Sequence, residues 1–337
     1  AAISNGAVAV LWESQAGIHS IPLSYRSGPN GEAVPVIAVS NLSQQAGVLA
    51  DRFYGQPSRA LFVSGVTGTN GKTSVSQFLA QTLSADAPAG IIGTLGHGLF
   101  QHLEIGRHTT PDAVTVHHWL AELREQGAAS VAMEVSSHAL HQGRVNGVTF
   151  DCAVFTNLSR DHLDYHGDMQ SYAEAKAGLF NMPGLRHAVI NSDDAIGREL
   201  LANLPTNLNV LRYGLEPEHQ PDVLGSCLSL SGDGVEVEVV TPQGKGHFHS
   251  KLLGRFNISN LLAVLGVLLL SGIPLQGAMA RLATVKPVAG RMETFGGDDK
   301  PLVVVDYAHT PDALQQVLTA LREHANAKIC CVFGCGG

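Results

Sequence analysis

Apolar and polar positions along this chain fall into short apolar runs separated by longer amphipathic ones. The run Ala60–Val66 has the length of a buried strand. A glycine-rich turn follows it and opens an amphipathic stretch, Lys72–Leu83, with helical periodicity. Further on, Gly90–Leu95, Ser130–Val135, Asp151–Thr156 and His187–Asn191 predict strands, while Asp112–Gln126, Met169–Phe180 and Asp193–Leu201 predict helices. Such alternation predicts an α/β fold, a mainly parallel sheet with helices on both faces.

Three stretches depart from this rhythm. Residues 1–40 hold two strand-like runs, Ala7–Trp12 and Val34–Val39, around a Gly/Pro/Asn-rich loop at 27–31; this is too little for an independent doubly wound domain but enough for the tail of one. A helix capped by Ser40 or Asn41 runs to about Tyr54 and ends at Gly55-Gln-Pro57. Alternating Val-Glu-Val-Glu-Val at 235–239, with a turn at Thr241–Lys245, predicts a small antiparallel appendage over 222–253, followed by a helical pair, Ile258–Leu270 and Leu275–Val285. After Pro287–Gly290, strand Leu302–Asp306, helix Pro311–Glu323 and strand Lys328–Phe333 begin a new α/β unit. The expected division is therefore 1–40, 41–289 and 290–337. The last strand runs into a glycine turn that normally opens another helix and the first residue is not Met, so the expectation is a fragment truncated at both ends.

Composition narrows the class. A chain of 337 residues suggests two or three domains, and 45% apolar with 15% charged residues is globular. The formal charge of −8 argues against a nucleic-acid or anionic-membrane partner. No apolar run reaches the length of a membrane span, and the N-terminus lacks the charged region of a signal peptide. Five cysteines without a framework spacing fit reduced thiols in a cytoplasmic protein. Cys330, Cys331 and Cys335 raise the question of a metal, but adjacent cysteines on a strand point to opposite faces and no second ligand pair follows.

In such a sheet, ligands gather at the carboxyl ends of the strands. Four strand ends carry polar clusters. The first is Thr67-Gly-Thr-Asn-Gly-Lys-Thr73, a phosphate-cradling P-loop in which Val66 stands where the strict spacing has glycine. Its backbone amides would approach phosphate oxygens, Lys72 would reach the outer phosphates, and the Thr73 hydroxyl would sit on Mg²⁺. The second is Met133-Glu-Val-Ser-Ser-His138, where Glu134 closes an apolar strand and can hold the same cation. The third is Phe155-Thr-Asn-Leu-Ser-Arg-Asp-His-Leu-Asp-Tyr-His166, for which a zinc reading of His162, Asp164 and His166 is open but matches no familiar spacing. The fourth is Val305-Asp-Tyr-Ala-His-Thr-Pro-Asp312, where Asp306 could hold a ribose hydroxyl.

Together with Tyr172-Ala-Glu-Ala-Lys176, Gly254-Arg-Phe-Asn-Ile-Ser-Asn260 and Gly290-Arg-Met292, these clusters resemble the Mur ligase family from about residue 40 to the last residue. That family uses the Thr-Gly-Thr-Asn-Gly-Lys-Thr loop, which accounts for Val66. The resemblance implies a UDP-binding domain (here a remnant, 1–40), a central ATP-binding domain (41–289) and the start of a C-terminal ligase domain (290–337). It implies ATP-driven amide formation through an acyl phosphate, adding meso-diaminopimelate, or alternatively L-lysine, to UDP-MurNAc-L-Ala-D-Glu during peptidoglycan synthesis. It also implies a cytoplasmic enzyme, expected to be a monomer. The motif that selects the amino acid is expected beyond Gly337.

Site roles carried over from the family are as follows. Thr67, Gly68, Thr69, Asn70, Gly71, Lys72 and Thr73 cradle ATP, and Asn257, Asn260, Arg291 and Asp306 complete the nucleotide site. Thr73 and Glu134 hold a first Mg²⁺, and His162 a second. Lys176 matches the lysine that this family carbamylates, which turns a cation into a two-oxygen anion suited to bridging or orienting metals. Thr109, Thr110, Ser136, Gln142 and Arg144 match contacts to the nucleotide-sugar peptide, with His108 where the family pattern has Asn. Read without the family, Lys176 is a solvated helix-face lysine, Asn257 and Asn260 are helix caps, and Arg144 is a surface arginine. Two other functions stay open. One is a folylpolyglutamate-synthase-type ligase, against which Ser136-Ser-His138 and the 159–166 run count. The other is a nucleotide-binding module without turnover, since the expected truncation removes the amino-acid pocket and part of the closure over ATP.

Overall fold

Short β-branched runs that are apolar on both sides can be buried only in a sheet covered on both faces, and the computed structural model places them there. It describes residues 2–14, 23–297, 300–324 and 328–334. An N-terminal three-stranded sheet has β1 (Val10–Glu13), β2 (Leu23–Ser27) and β3 (Ala33–Val39), in the order β1-β3-β2. Helix α1 (Leu42–Phe53) leads from it to the large sheet, with Asn41 at its N-cap position in the left-handed region.

The chain then runs through β4 (Phe62–Thr67), α2 (Lys72–Leu83), β5 (Ala89–Gly93), β6 (Gly96–Leu99), β7 (His102–Glu104), α3 (Ala113–Glu125), β8 (Ser130–Glu134), α4 (Ser137–His141) and β9 (Cys152–Phe155). It continues with α5 (Leu163–His166), α6 (Met169–Ala177), β10 (His187–Asn191), α7 (Ala195–Ala202), β11 (Asn209–Gly214), β12 (Val223–Ser231), β13 (Gly234–Thr241), β14 (Gly244–Ser250), α8 (Arg255–Leu270) and α9 (Leu275–Leu282). A two-stranded sheet, β15 (Glu293–Phe295) with β16 (Val303–Val305), and α10 (Pro311–His324) close the described elements.

Eleven strands form one sheet in the order β14-β13-β12-β11-β10-β9-β4-β8-β5-β6-β7. Strands β12 through β5 in that order pair in parallel, and the two ends are antiparallel hairpins. The chain leaves β4 for β5, returns to β8 between them, then crosses to β9 on the other side. The order reverses at β4, and a doubly wound sheet opens its ligand crevice at such a point. Neighbouring strand residues face opposite layers. Ala132, Val154 and Val189 pack under α2, α8 and α9, while Val131, Met133, Ala153, Phe155, Ala188 and Ile190 pack towards α3 and α7.

The structure corrects three expectations. The 222–253 stretch is not an appendage, because β12 pairs in parallel with β11 and the hairpin extends the main sheet. The helix expected to reach Phe180 tightens after Ala177 into a 3₁₀ turn, Gly178–Asn181. The α1 N-cap is Asn41, one of the two residues expected, though it makes no side-chain hydrogen bond, unlike Asp112, Asp168 and Asp194, whose carboxylates each accept from the first turn of their helix. Residues 328–334 lie outside regular structure, so the expected strand Lys328–Phe333 is absent among the described residues; Cys335 lies outside them.

Candidate active site

The P-loop leaves the central strand β4 at its carboxyl end and turns through Gly68 (φ +147°) and Gly71 (φ +87°), conformations that favour glycine. It is stitched to the loop after β9. Thr69 N donates to Asn157 O and Asn70 N to Asn157 Oδ1, both at 2.9 Å, and Thr156 Oγ1 donates to Asn70 O at 2.6 Å. A Cβ on Gly68 would collide with Thr156 Oγ1, which its bond to Asn70 O holds in place, and would press on the Asn157 backbone. Gly68→Ala is therefore expected to destabilise the protein by about 2–4 kcal/mol through overpacking and backbone strain. The midpoint of urea unfolding reads this, and an unchanged midpoint would mean that the loop has slack not evident here.

Lys72 opens α2 and curls back over the loop, its Nζ donating to Gly68 O and Thr69 O at 2.9 Å each. Burial pulls its pKa below the ordinary lysine value, while the charges of Glu134 and Asp161 oppose the shift and Arg291 adds to it. One turn face away, Thr73 Oγ1 donates to Glu134 Oε2 at 2.9 Å. Glu134, 1% exposed at the end of β8, also accepts from Thr94 N at 2.8 Å and Thr94 Oγ1 at 3.1 Å. A buried carboxylate bonded to hydroxyls and an amide, beside the P-loop threonine, is the all-oxygen donor set that a hard divalent cation takes. These residues fit a Mg²⁺ ion.

Helix α6 brings Tyr172 and Lys176 onto one face, four residues apart. Lys176 is 1% exposed; its Nζ donates to Gly68 O at 2.7 Å and stands 4.5 Å from the Tyr172 ring centre. It is thus a buried amine rather than a solvated helix-face lysine. Burial, then the Lys72 charge, hold its pKa well below the ordinary value, with Asp161 opposing. The Tyr172 hydroxyl shares a hydrogen bond with Thr69 Oγ1 (3.2 Å), and burial pushes its pKa up to about 12. His162 adopts a left-handed backbone (φ +54°) ahead of α5, its Nε2 3.4 Å from Asp161 Oδ2 and its ring edge-on to His138. Burial lowers its pKa, Asp161 opposes, and the charges of Lys72 and Lys176 lower it further.

The nucleotide-side residues arrive from two directions. Asn257 and Asn260 sit in the first turns of α8, where Asn257 Nδ2 donates to Leu253 O (2.9 Å) and Asn260 Nδ2 to Asn257 Oδ1 (3.1 Å). Only Asn260 of the two faces the cavity. Arg291 stacks over Tyr307 at 4.6 Å and reaches to 3.4 Å from Thr73 Oγ1, while Asp306 accepts from Met292 N and Ala308 N at 2.8 Å each. A cavity of about 600 Å³ joins Thr69–Thr73, Glu134, Ser136, Thr109, His162, Lys176, Asn260, Arg291 and Asp306.

The sequence-assigned substrate residues split. Thr109 (2.9 Å from Thr94 Oγ1) and Ser136 face this cavity, and Thr110 lies just behind, donating to Glu134 O at 2.7 Å and accepting from Ser136 N at 3.1 Å. Gln142 and Arg144 instead line a more open groove of about 530 Å³, with His141, Tyr165 and the first residues of α1. Arg144 donates to Gln142 Oε1 through Nε (2.8 Å) and Nη2 (2.6 Å), and through Nη1 to Thr110 O (2.9 Å). His108 is exposed and outside both linings.

Sequence reasoning missed Thr94, Asn157, Asp161, Tyr172 and Tyr307. Thr94 lies within an expected strand and carries no local signal of its own; the others lie inside the quoted motifs, where sequence does not separate them from their neighbours. No cluster of three His, Cys, Asp or Glu side chains among the described residues could hold a metal, so neither the zinc alternative at 162–166 nor Cys330–Cys331 has such a cluster behind it.

A mostly parallel sheet with a P-loop at its switch point and a carboxylate ending the adjacent strand defines a P-loop nucleotide-binding α/β protein. A Mur ligase middle-domain model matches residues 66–268 and a Mur ligase, glutamate ligase domain model matches 290–337. The Pseudomonas aeruginosa UDP-N-acetylmuramoyl-L-alanyl-D-glutamate--2,6-diaminopimelate ligase is 53% identical over 100% of this chain and 67% of its own. A solved structure of a ligase of that name superposes with a TM-score of 0.81 at 37% identity, covering 99% of this chain and 66% of its own. A Mycobacterium tuberculosis folylpolyglutamate synthase with ADP reaches 0.67 at 20% identity over 83% and 71%, which shows a common fold and nothing more. The chain belongs to the Mur ligase family. It spans about two thirds of the length of the relatives it matches.

Proposed function

We propose that the chain is the catalytic part of an ATP-dependent ligase that adds meso-diaminopimelate to UDP-MurNAc-L-Ala-D-Glu in peptidoglycan synthesis. What supports this reading most is the convergence of Lys72, Thr73, Glu134, His162, Lys176 and Arg291 on a single cavity. Residues 1–40 belong with a UDP-binding domain, 41–289 form the ATP-binding domain, and 290–337 begin the domain that presents the amino acid. The enzyme acts as a cytoplasmic monomer.

In this reading the γ-phosphoryl group of ATP passes to the substrate carboxylate as ADP leaves. The amine of the diamino acid then adds to the acyl-phosphate carbon, and the tetrahedral intermediate expels phosphate while the nitrogen loses a proton. Phosphoryl transfer asks a protein mainly for positioning and charge neutralisation. Lys72 and the P-loop amides hold the β- and γ-phosphates, and Arg291, stacked on Tyr307, carries a further positive charge to the same end of the cavity. Thr73 and Glu134 would hold one Mg²⁺, and His162 with Lys176 a second; bound there, the ions neutralise charge on the transferring group. Burial, by lowering the Lys176 pKa, raises the share of the amine present as free base, the form that adds CO₂. Its nitrogen bonds the carbon, one proton is released, and the product is a carbamate anion beside Lys72. Thr109, Thr110, Ser136, Gln142 and Arg144 bind the nucleotide-sugar peptide.

The test is phosphate release by the chain extended to the length of its relatives. Release that requires both UDP-MurNAc-L-Ala-D-Glu and diaminopimelate, with L-lysine at least tenfold poorer (about 1.4 kcal/mol), is the expected result. Turnover with a pterin substrate, or none with the muramoyl one, would overturn it.

A further inference from the structure

The turn that carries Arg144 is gripped from both sides by residues to which no role in the site has been given. His117, in the middle of α3, is wholly buried, and its Nε2 lies 3.0 Å from Asn146 O. A carbonyl only accepts, so this nitrogen carries the proton. The other ring nitrogen faces Asp51 Oδ1 of α1 at 3.5 Å, and neither atom has another partner among the described residues. Burial lowers the His117 pKa, while Asn146 O and Asp51, the charged group facing the ring, oppose that. On the α1 side, Asn146 Nδ2 donates to Gln44 O at 2.9 Å and to Gln44 Oε1 at 3.1 Å. Gly47 lets the α1 backbone close onto Asn146 O, where a Cβ would collide. Asn146 is thus fixed through its carbonyl by α3 and through its amide by α1.

Arg144 lies two residues away, and its three donations tie the turn to Gln142 and Thr110, whose hydroxyl donates to Glu134 O. We propose that His117 is a positioning residue: by clamping Asn146 between α1 and α3, it sets the guanidinium of Arg144 and links the placement of α1 to the substrate groove. The substrate half of this statement rests on the reading of Arg144 given above; the clamp itself does not. An arginine on an unclamped turn would sample many rotamers and bind an anionic or polar ligand less well for the entropy it must then lose.

Two variants separate the clamp from general packing. His117→Leu keeps apolar volume and removes the donor, leaving a buried carbonyl unpaired; His117→Gln keeps an N–H that can reach Asn146 O. In ligand-free protein, nitrogen-detected NMR follows solvent exchange of the Arg144 Nε–H. The Leu variant is expected to speed this exchange about tenfold, the factor for roughly 1.4 kcal/mol, and the Gln variant to stay within about twofold. In the chain extended to the length of its relatives, Leu raises KM for UDP-MurNAc-L-Ala-D-Glu about tenfold at nearly unchanged kcat, since uniform binding is lost. Unchanged Arg144 exchange in the Leu variant, or equal loss in the Gln variant, overturns the proposal. Faster exchange with unchanged KM upholds the clamp and removes Arg144 from the substrate site instead.

Discussion

Replacing Lys72 with methionine is expected to slow ADP formation in the presence of UDP-MurNAc-L-Ala-D-Glu and diaminopimelate by about three orders of magnitude, the scale on which a preorganised charge at a transferring phosphoryl group acts. The side chain belongs to the loop that would cradle the phosphates, and it is already folded over that loop by two hydrogen bonds. No reorganisation is therefore needed when ATP arrives. Its loss leaves Glu134 and Asp161, which share its field, as uncompensated negative charge beside an anionic ligand. Methionine keeps the stem and the helix propensity, so the fold should hold; a circular dichroism spectrum matching the parent chain checks that. Lysine-to-arginine at the same position retains charge but not the point geometry, and should recover only part of the rate. A methionine variant within tenfold of the parent would mean that Lys72 does not face the transferring group.

How far the sequence reaches depends on whether a signal is local. The P-loop, its strand and the first turn of α2 are one contiguous stretch, and the sheet order places it at the switch point that such a stretch needs. Glu134 could be read because a carboxylate closing an apolar strand is a local anomaly. Thr94 is different. It is an ordinary threonine in sequence, and only the parallel pairing of β5 with β8 brings it to the Glu134 carboxylate. Asn157 likewise acquires its importance from β9 lying beside β4, which sets its side chain against Asn70 N. The hairpin β6–β7 gives no period because its short strands hold one leucine each among glycine, histidine and glutamate, and in β11 the adjacent Val210 and Leu211 followed by Arg212 break any alternation. The alternation of the β12–β14 stretch predicts antiparallel strands, but alternation describes one strand's faces and not its neighbour. Only the two-residue parallel pairing with β11 joins it to the main sheet.

Lys176 is where sequence pattern and physical chemistry meet, and the expected result there runs in two directions. In CO₂-depleted buffer, Lys176→Met should raise the stability of the chain by about 1–3 kcal/mol, worth a few degrees in Tm, while turnover with all substrates present falls by two to three orders of magnitude (roughly 3–4 kcal/mol of barrier). The sign follows from the buried amine. Its pKa in the folded state lies well below the ordinary lysine value. As pH falls from that ordinary value, the unfolded chain takes up a proton that the folded chain does not, so stability declines until the lowered pKa is passed and levels off below it. Methionine binds no proton in either state and removes the decline. It also costs little in hydrogen bonding, because Gly68 O, which Lys176 Nζ meets at 2.7 Å, still accepts from Lys72 Nζ at 2.9 Å. Added bicarbonate should then separate the two proteins: conversion of the amine to a carbamate beside the positive Lys72 removes the buried-base penalty, raising the Tm of the parent chain and leaving the methionine variant where it was. A variant less stable than the parent, or a parent indifferent to bicarbonate, would make Lys176 a structural cation held for Asp161, and the second metal site would lose its anionic ligand.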